Sequence, residues 1–213
     1  MYIQQKFRET DPATLHALMR ANPLGALVVM TPAGLEANHM PFQLSLSPQG
    51  ELSLRAHIPI GNSLWQQPAS GDTDALVIFQ GPQSYITPSW YPSKQVHGQA
   101  VPTWNYAVVH ASGCLRFIRD KVWLLEHVTA LTNQHEAPQA LPWQVSDAPA
   151  DYLQSMLDKI VGIEIAVTTL QGKWKVSQNR PSPDRLGVVA GLETQGSEQG
   201  RAMAALVRQH IDS

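Results

Sequence analysis

The stretch Leu24-Gly-Ala-Leu-Val-Val-Met-Thr-Pro-Ala-Gly-Leu35, continued by Met40-Pro-Phe-Gln-Leu-Ser-Leu-Ser-Pro-Gln-Gly50 and Glu51-Leu-Ser-Leu-Arg-Ala-His-Ile58, decides the fold class. Apolar-rich runs at 24–30, 35–46 and 51–58 are divided by the turn clusters Thr31-Pro-Ala-Gly34 and Ser47-Pro-Gln-Gly50, a pattern that predicts an antiparallel meander. Before it, Asp11 is a natural N-cap and Pro12 suits a first helical position. Leu15, Leu18 and Met19 share one face of that helix, which stops near Asn22-Pro23. After it, Gly61-Asn-Ser63 can start a short helix, 74–80 is a buried strand, Gly81-Pro82 is a turn, and 107–118 is a longer strand. A helix is expected from the Asp120 cap to about 134, apolar at Val122, Leu124, Leu125, Val128 and Leu131. Another is expected over 149–160. Residues 163–169, a Gln171-Gly172 turn and 174–176 read as a hairpin, and 183–211 as helical pieces broken at Gly191 and Gly196. Grouped strands with helices before and after them, and no regular strand-helix alternation, predict an α+β fold: an antiparallel barrel with peripheral helices.

Composition narrows the function. A chain of 213 residues suits one sizeable domain. Its 43% hydrophobic content is ordinary, but 15% charged residues is low against the roughly 25% usual in soluble domains. Part of the surface is therefore expected to be covered in an oligomer. A net charge of −2 and a pI near 6.4 provide no overall cationic field for nucleic acid or anionic lipid. The longest apolar run, 24–30, falls far short of the roughly 20 residues that span a bilayer. The polar, charged first eleven residues do not resemble a secretion signal, so a cytoplasmic location is expected. The single Cys114 cannot form an internal disulfide or a multi-thiolate zinc site. No His-Glu-x-x-His occurs among the eight histidines, so no metal is expected. Phosphate-cradling glycine motifs are absent, and Ser63 and Ser89 lack a nucleophile-elbow context.

Two segments carry the chemistry. Gly81-Pro-Gln-Ser-Tyr-Ile-Thr-Pro-Ser-Trp-Tyr-Pro-Ser-Lys94 and Val101-Pro-Thr-Trp-Asn-Tyr106 combine aromatic faces, hydroxyls, an amide and a cation on proline-stiffened backbone. Such loops suit a planar, phosphorylated ligand; equally, the aromatics can fill the core and the prolines end strands. Gly172-Lys-Trp-Lys-Val-Ser-Gln-Asn-Arg180, extended to Arg185, holds four cations against Asp184, a local charge of +3. It can bind an anion or form a solvated basic hairpin.

These segments, with the opening Met1-Tyr-Ile and Phe7-Arg8, resemble the PaiB family, described as FMN-binding negative transcriptional regulators. The resemblance runs from Met1 to about Leu192. It implies a flavin-binding split-barrel domain over 1–192, a C-terminal helical tail over 193–213, and a homodimer with FMN at the interface. FMN would be held by Thr87, Ser89, Trp90 and Tyr91, by Lys94, and by Thr103, Trp104 and Asn105. The basic segment, Lys173, Lys175, Gln178, Asn179 and Arg180, would reach the phosphate or the ring edge. The chain departs from the family at Ile58-Pro-Ile-Gly-Asn62, where a basic residue is frequent, so Arg55 is the candidate substitute. It departs again at Gln83, where histidine is common.

Three functions follow for testing. The first is a flavoprotein with a flavin-dependent redox activity or a sensing role, whose catalytic residues the sequence does not identify. The second is a repressor that binds DNA directly, disfavoured because the 120–134 helix carries Lys121 as its only Lys or Arg. The third is a haem-binding split barrel, with His57, His97 and His110 as candidate ligands.

Overall fold

The computed structural model describes residues 1–66 and 73–211, and by its contacts the chain divides into two compact units. The strands in chain order are β1 (Arg8–Glu9), β2 (Leu24–Thr31), β3 (Gly34–Pro41), β4 (Gln43–Leu46), β5 (Leu52–Pro59), β6 (Thr73–Ile86), β7 (Thr103–Ile118) and β8 (Ile160–Lys175). The helices are α1 (Pro12–Ala21), α2 (Ser93–His97), α3 (Lys121–Glu136), α4 (Ala150–Leu157), α5 (Ser182–Gln195) and α6 (Glu198–Arg208). The strands form an antiparallel sheet in the order β3-β2-β6-β7-β8-β5-β4, with β1 paired to β8, so the α+β expectation holds.

One unit comprises Pro23–Ile78 and Ala111–Leu170. Strand β2 forms where the 24–30 run predicts it; its burial alternates, with Leu27 and Val29 buried, and it pairs β3 from Leu24↔Pro41 to Thr31↔Gly34. The expected 35–46 strand is two strands. Pro41 ends β3, and the buried Phe42 turns its N–H to Pro23 O at 2.8 Å. The helix expected after Gly61 is a single 3-10 turn, Ser63–Gln66, opened by Asn62 Oδ1 accepting from Leu64 N. Helix α3 starts where its cap predicts, Asp120 Oδ1 accepting from Trp123 N at 2.8 Å. Its buried positions are Leu124 and His127, whereas Val122 is exposed.

The other unit comprises Met1–Asn22, Phe79–His110 and the chain from Gln171 onward. Helix α1 has its predicted cap, Asp11 Oδ2 accepting from Thr14 N at 2.9 Å, and buries Leu15, Leu18 and Met19. Three turn assignments are corrected. Gly81-Pro82 lies inside β6: proline's fixed φ tolerates an extended chain, and the bare Gly81 Cα admits Leu18 of α1. Gln171-Gly172 is not a hairpin turn but part of β8. Gly172 pairs with Glu9 of β1, and a Cβ there would meet the Leu15 side chain at 2.2 Å and Glu9 O at 3.0 Å. Gly191 does not break the tail helix. Residue 192, the expected end of the barrel domain, lies inside α5, which stops only at Gly196 with φ +69°. Residues 212 and 213 of the tail lie outside the described residues.

Candidate functional site

Residues 87–98 are held by their own caps and by α5. Thr87 Oγ1 accepts from Ser89 N at 3.3 Å, opening the 3-10 turn Pro88–Trp90. The first residue of α2 donates twice to one carboxylate: Ser93 N to Asp184 Oδ1 at 3.0 Å and Ser93 Oγ to Asp184 Oδ2 at 2.6 Å. Asp184 is 0% exposed and sits in the first turn of α5. Trp90 rests on the same helix. A Cβ at Gly187 would lie 2.0 Å from Trp90 O, and one at Gly191 would lie 2.3 Å from the indole ring. Tyr91 is buried, and the Arg180 guanidinium stands 4.6 Å from its ring centre. Trp90 and Tyr91 thus serve packing, while Ser89 and Lys94 are exposed.

Of the 101–106 segment, Thr103 to Tyr106 are the start of β7 rather than a loop. Lys175 Nζ donates to Thr103 Oγ1 and to Trp104 O, the latter at 2.8 Å. Asn105 is 1% exposed; its Nδ2 donates to Ser177 Oγ at 2.9 Å, and its Oδ1 is buried without a partner. Ser177 holds a left-handed φ of +65°. Gln178 closes the turn on itself, Nε2 donating to Trp174 O and Oε1 accepting from Val176 N. Lys173 Nζ reaches Tyr2 O at 3.2 Å and lies 5.2 Å from the Tyr106 ring centre. Asn179 is exposed. The side chains of Trp104 and Tyr85 are 47% and 46% exposed, their ring centres 6.1 Å apart, and Trp104 Nε1 donates to Gln83 Oε1 at 3.1 Å. Gln83 therefore holds the orientation of the exposed indole.

Among the described residues, no carboxylate forms an ion pair with Lys173, Lys175 or Arg180. Burial pushes the Lys175 ammonium below its usual pKa, and the charges of Lys173 and Arg180 push the same way. Three cations that meet only neutral acceptors and two tyrosine rings are suited to an anion that carries more than one charge.

Arg55 belongs to the unit containing β5, where Nε meets Glu164 Oε1 at 3.0 Å and the guanidinium lies 5.5 Å from the Trp123 ring centre. Arg116 bonds the other oxygen of the same carboxylate, so the two guanidiniums share one counter-charge. The candidate haem ligands are divided between the two units, His57 in one and His97 and His110 in the other. His57 Nδ1 faces His127 Nε2 at 3.1 Å, and His97 Nδ1 accepts from Gln99 N. Burial, followed by the N-terminal charge, holds the His110 pKa down. Among the described residues no group of His, Cys, Asp and Glu could hold a metal ion, and no helix is long and apolar enough to cross a membrane.

Asp184, Ser177 and the Gly187/Gly191 seat were not assigned from the sequence. The only available signal was the four-residue glycine spacing on a helix, which marks close approach by another group but not which group.

FMN requires a cradle for a dianionic phosphate, polar partners for ribityl hydroxyls, and flat apolar area for its ring. The uncompensated cations, the orphaned Asn105 Oδ1 and the exposed Tyr85 and Trp104 rings match those needs in kind.

A family model described as "Putative FMN-binding domain" matches residues 1–169. An uncharacterized protein of Emericella nidulans is 35% identical over 98% of this chain and 97% of its own length. The protease synthase and sporulation protein PAI 2 of Bacillus subtilis is 29% identical over 99% of this chain and 98% of its own. Among solved structures, a FAD and heme binding protein from Mycobacterium smegmatis superposes with a TM-score of 0.58 at 15% identity, over 79% of this chain and 73% of that one. The flavocytochrome Anf3 from Azotobacter vinelandii gives 0.57 at 11%, over 81% and 72%. At such identities the solved structures speak for the fold alone. The family match, the PAI 2 relationship and the fold agree: this chain belongs to the PaiB-type family of FMN-binding split-barrel proteins, and its cofactor is FMN.

Proposed function

We propose that the chain works as a cytoplasmic homodimeric flavoprotein in which the phosphate of FMN is held by Lys173, Lys175 and Arg180. The observation that carries this reading is that these three cations lack acidic partners among the described residues. Asn105 Oδ1 accepts from a ribityl hydroxyl, Thr103 orients the Lys175 ammonium, and Tyr85 and Trp104 offer ring area. The segment from Thr87 to Lys94 is the wall of the site, with Ser89 and Lys94 as its exposed donors. Bound FMN supplies reversible electron and hydride transfer, and the protein supplies binding, orientation and a partner-covered site. The exposed Tyr85, Val96, Val101 and Trp104 favour coverage by a second copy. Regulation is indirect in this reading, since α3 carries Lys121 as its sole Lys or Arg. A salt-titrated DNA-binding assay is expected to show no sequence preference, and tight specific binding would refute that part.

Titration of the purified protein with FMN and with riboflavin tests the core of the proposal. Flavin fluorescence should be quenched, with FMN bound at least roughly tenfold more tightly than riboflavin, because only FMN carries the phosphate. Lys175→Gln should close most of that gap by weakening FMN alone. Absence of quenching would sink the proposal.

A further inference from the structure

The unit built on Pro23–Ile78 and Ala111–Leu170 has a cavity of about 400 Å³ whose wall includes His57 of β5, Val128 and Thr132 of α3, Tyr152 and Met156 of α4, and Lys159. That volume lies in the range of small-molecule sites. The wall is largely apolar, yet two of its rings, Trp143 and Tyr152, are left 46% and 57% exposed.

The polar groups of the wall can be assigned by hydrogen-bond logic. His57 Nδ1 and His127 Nε2 are 3.1 Å apart, so one proton lies between them. His127 is 1% exposed, and its Nδ1 has no partner. A buried orphan N–H is costlier and rarer than a buried lone pair, so His127 carries its proton on Nε2 and donates to His57 Nδ1. His57 then carries its own proton on Nε2, the nitrogen left for the cavity. Both rings are neutral near pH 7. Burial lowers the His57 pKa, and burial, then His57 and Arg55, lower that of His127 to about 4. Arg55 and Arg116, the nearby guanidiniums, are both engaged by Glu164.

Lys159 is on the same wall. Ile60, three residues after His57, donates its N–H to Lys159 O at 2.7 Å, and Lys159 forms no ion pair among the described residues. No Asp or Glu lines the cavity. Apolar walls, half-exposed aromatics, the His57 N–H, a free ammonium and no acid complement a molecule with an apolar ring and a single negative charge.

We propose that this cavity binds a small aromatic monocarboxylate, its ring against Val128, Trp143 and Met156 and its carboxylate held by His57 Nε2–H and Lys159. The site is independent of the flavin assignment, whose cationic residues belong to the other unit.

Calorimetric titration of the FMN-loaded protein with 1-naphthaleneacetate, and with its neutral amide, tests the proposal. Saturable sub-millimolar binding of the acid is expected, with the amide roughly tenfold weaker. Lys159→Gln, a change at an exposed side chain, should weaken the acid to the level of the amide and leave the amide and FMN affinities unchanged. His57→Phe should weaken the acid as well. No saturable heat up to millimolar acid, or acid binding indifferent to Lys159→Gln, would overturn the site. So would a Trp143→Ala protein that loses its subunit association, which would make this face a contact between copies.

Discussion

At the scale of single residues, the unusual feature is how many titratable groups lack an opposite charge. Lys175 is held below its usual pKa by burial and by two neighbouring cations, so a bound phosphate must pull it back up. FMN affinity should therefore fall as pH rises through the Lys175 titration, and Lys175→Gln should remove that dependence in a fluorescence titration run across pH. His127 has a different consequence. Its folded pKa of about 4 lies below the ordinary 6.5, so between those values the unfolded chain binds more protons than the folded one. The folded state is penalised progressively as pH falls from 6.5 towards 4, by on the order of 3 kcal/mol at the lower end, and no further below it. Urea unfolding at a series of pH values should show this acid limb. His127→Gln should be less stable at pH 7, having lost its hydrogen bond to His57, but shallower between pH 6.5 and 4. An equally steep limb in the variant would assign it to other groups.

At the scale of elements, α5 supports the segment that the sequence marks as the flavin loop. Asp184 satisfies both the backbone and the hydroxyl of Ser93 at the start of α2, and Gly191 makes room for the Trp90 ring. Asp184→Ala leaves both donors unpaired in a buried place and should destabilise the protein by about 2–3 kcal/mol in denaturant unfolding. Gly191→Ala puts a methyl where the indole ring is, 2.3 Å from it, although alanine is otherwise the better helix former. It should unseat Trp90, red-shift the tryptophan emission and weaken FMN at least several-fold. Unchanged emission and affinity would show that the loop does not depend on this helix. The 1–169 family match stops before α5, so this support lies outside the matched residues.

At the scale of the whole molecule, the low charge content acquires a definite test. If a second copy covers Tyr85 and Trp104, sedimentation should give about twice the 23.4 kDa chain mass. Trp104→Glu should lower both the mass and the FMN affinity, and a monomeric wild type that still binds FMN tightly would separate the two. The sequence by itself determined what depends on near neighbours in the chain. The α1 and α3 caps at Asp11 and Asp120, strand β2 and the stop at Gly196 are local chemistry, and each is found where its residues place it. The family, too, was legible in the order of its motifs. Only the tertiary structure decided what Gly81, Gly172 and Gly191 are for. A glycine serves a turn or a close approach equally well, and the approaching groups, Leu18, the β1 backbone and Trp90, come from distant parts of the sequence. The same reason separates the candidate cations. Arg55 and Lys175 are both cations in the sequence, but Arg55 meets Glu164, which it shares with Arg116, and no described carboxylate pairs with Lys175, a difference set by which strands fold beside each.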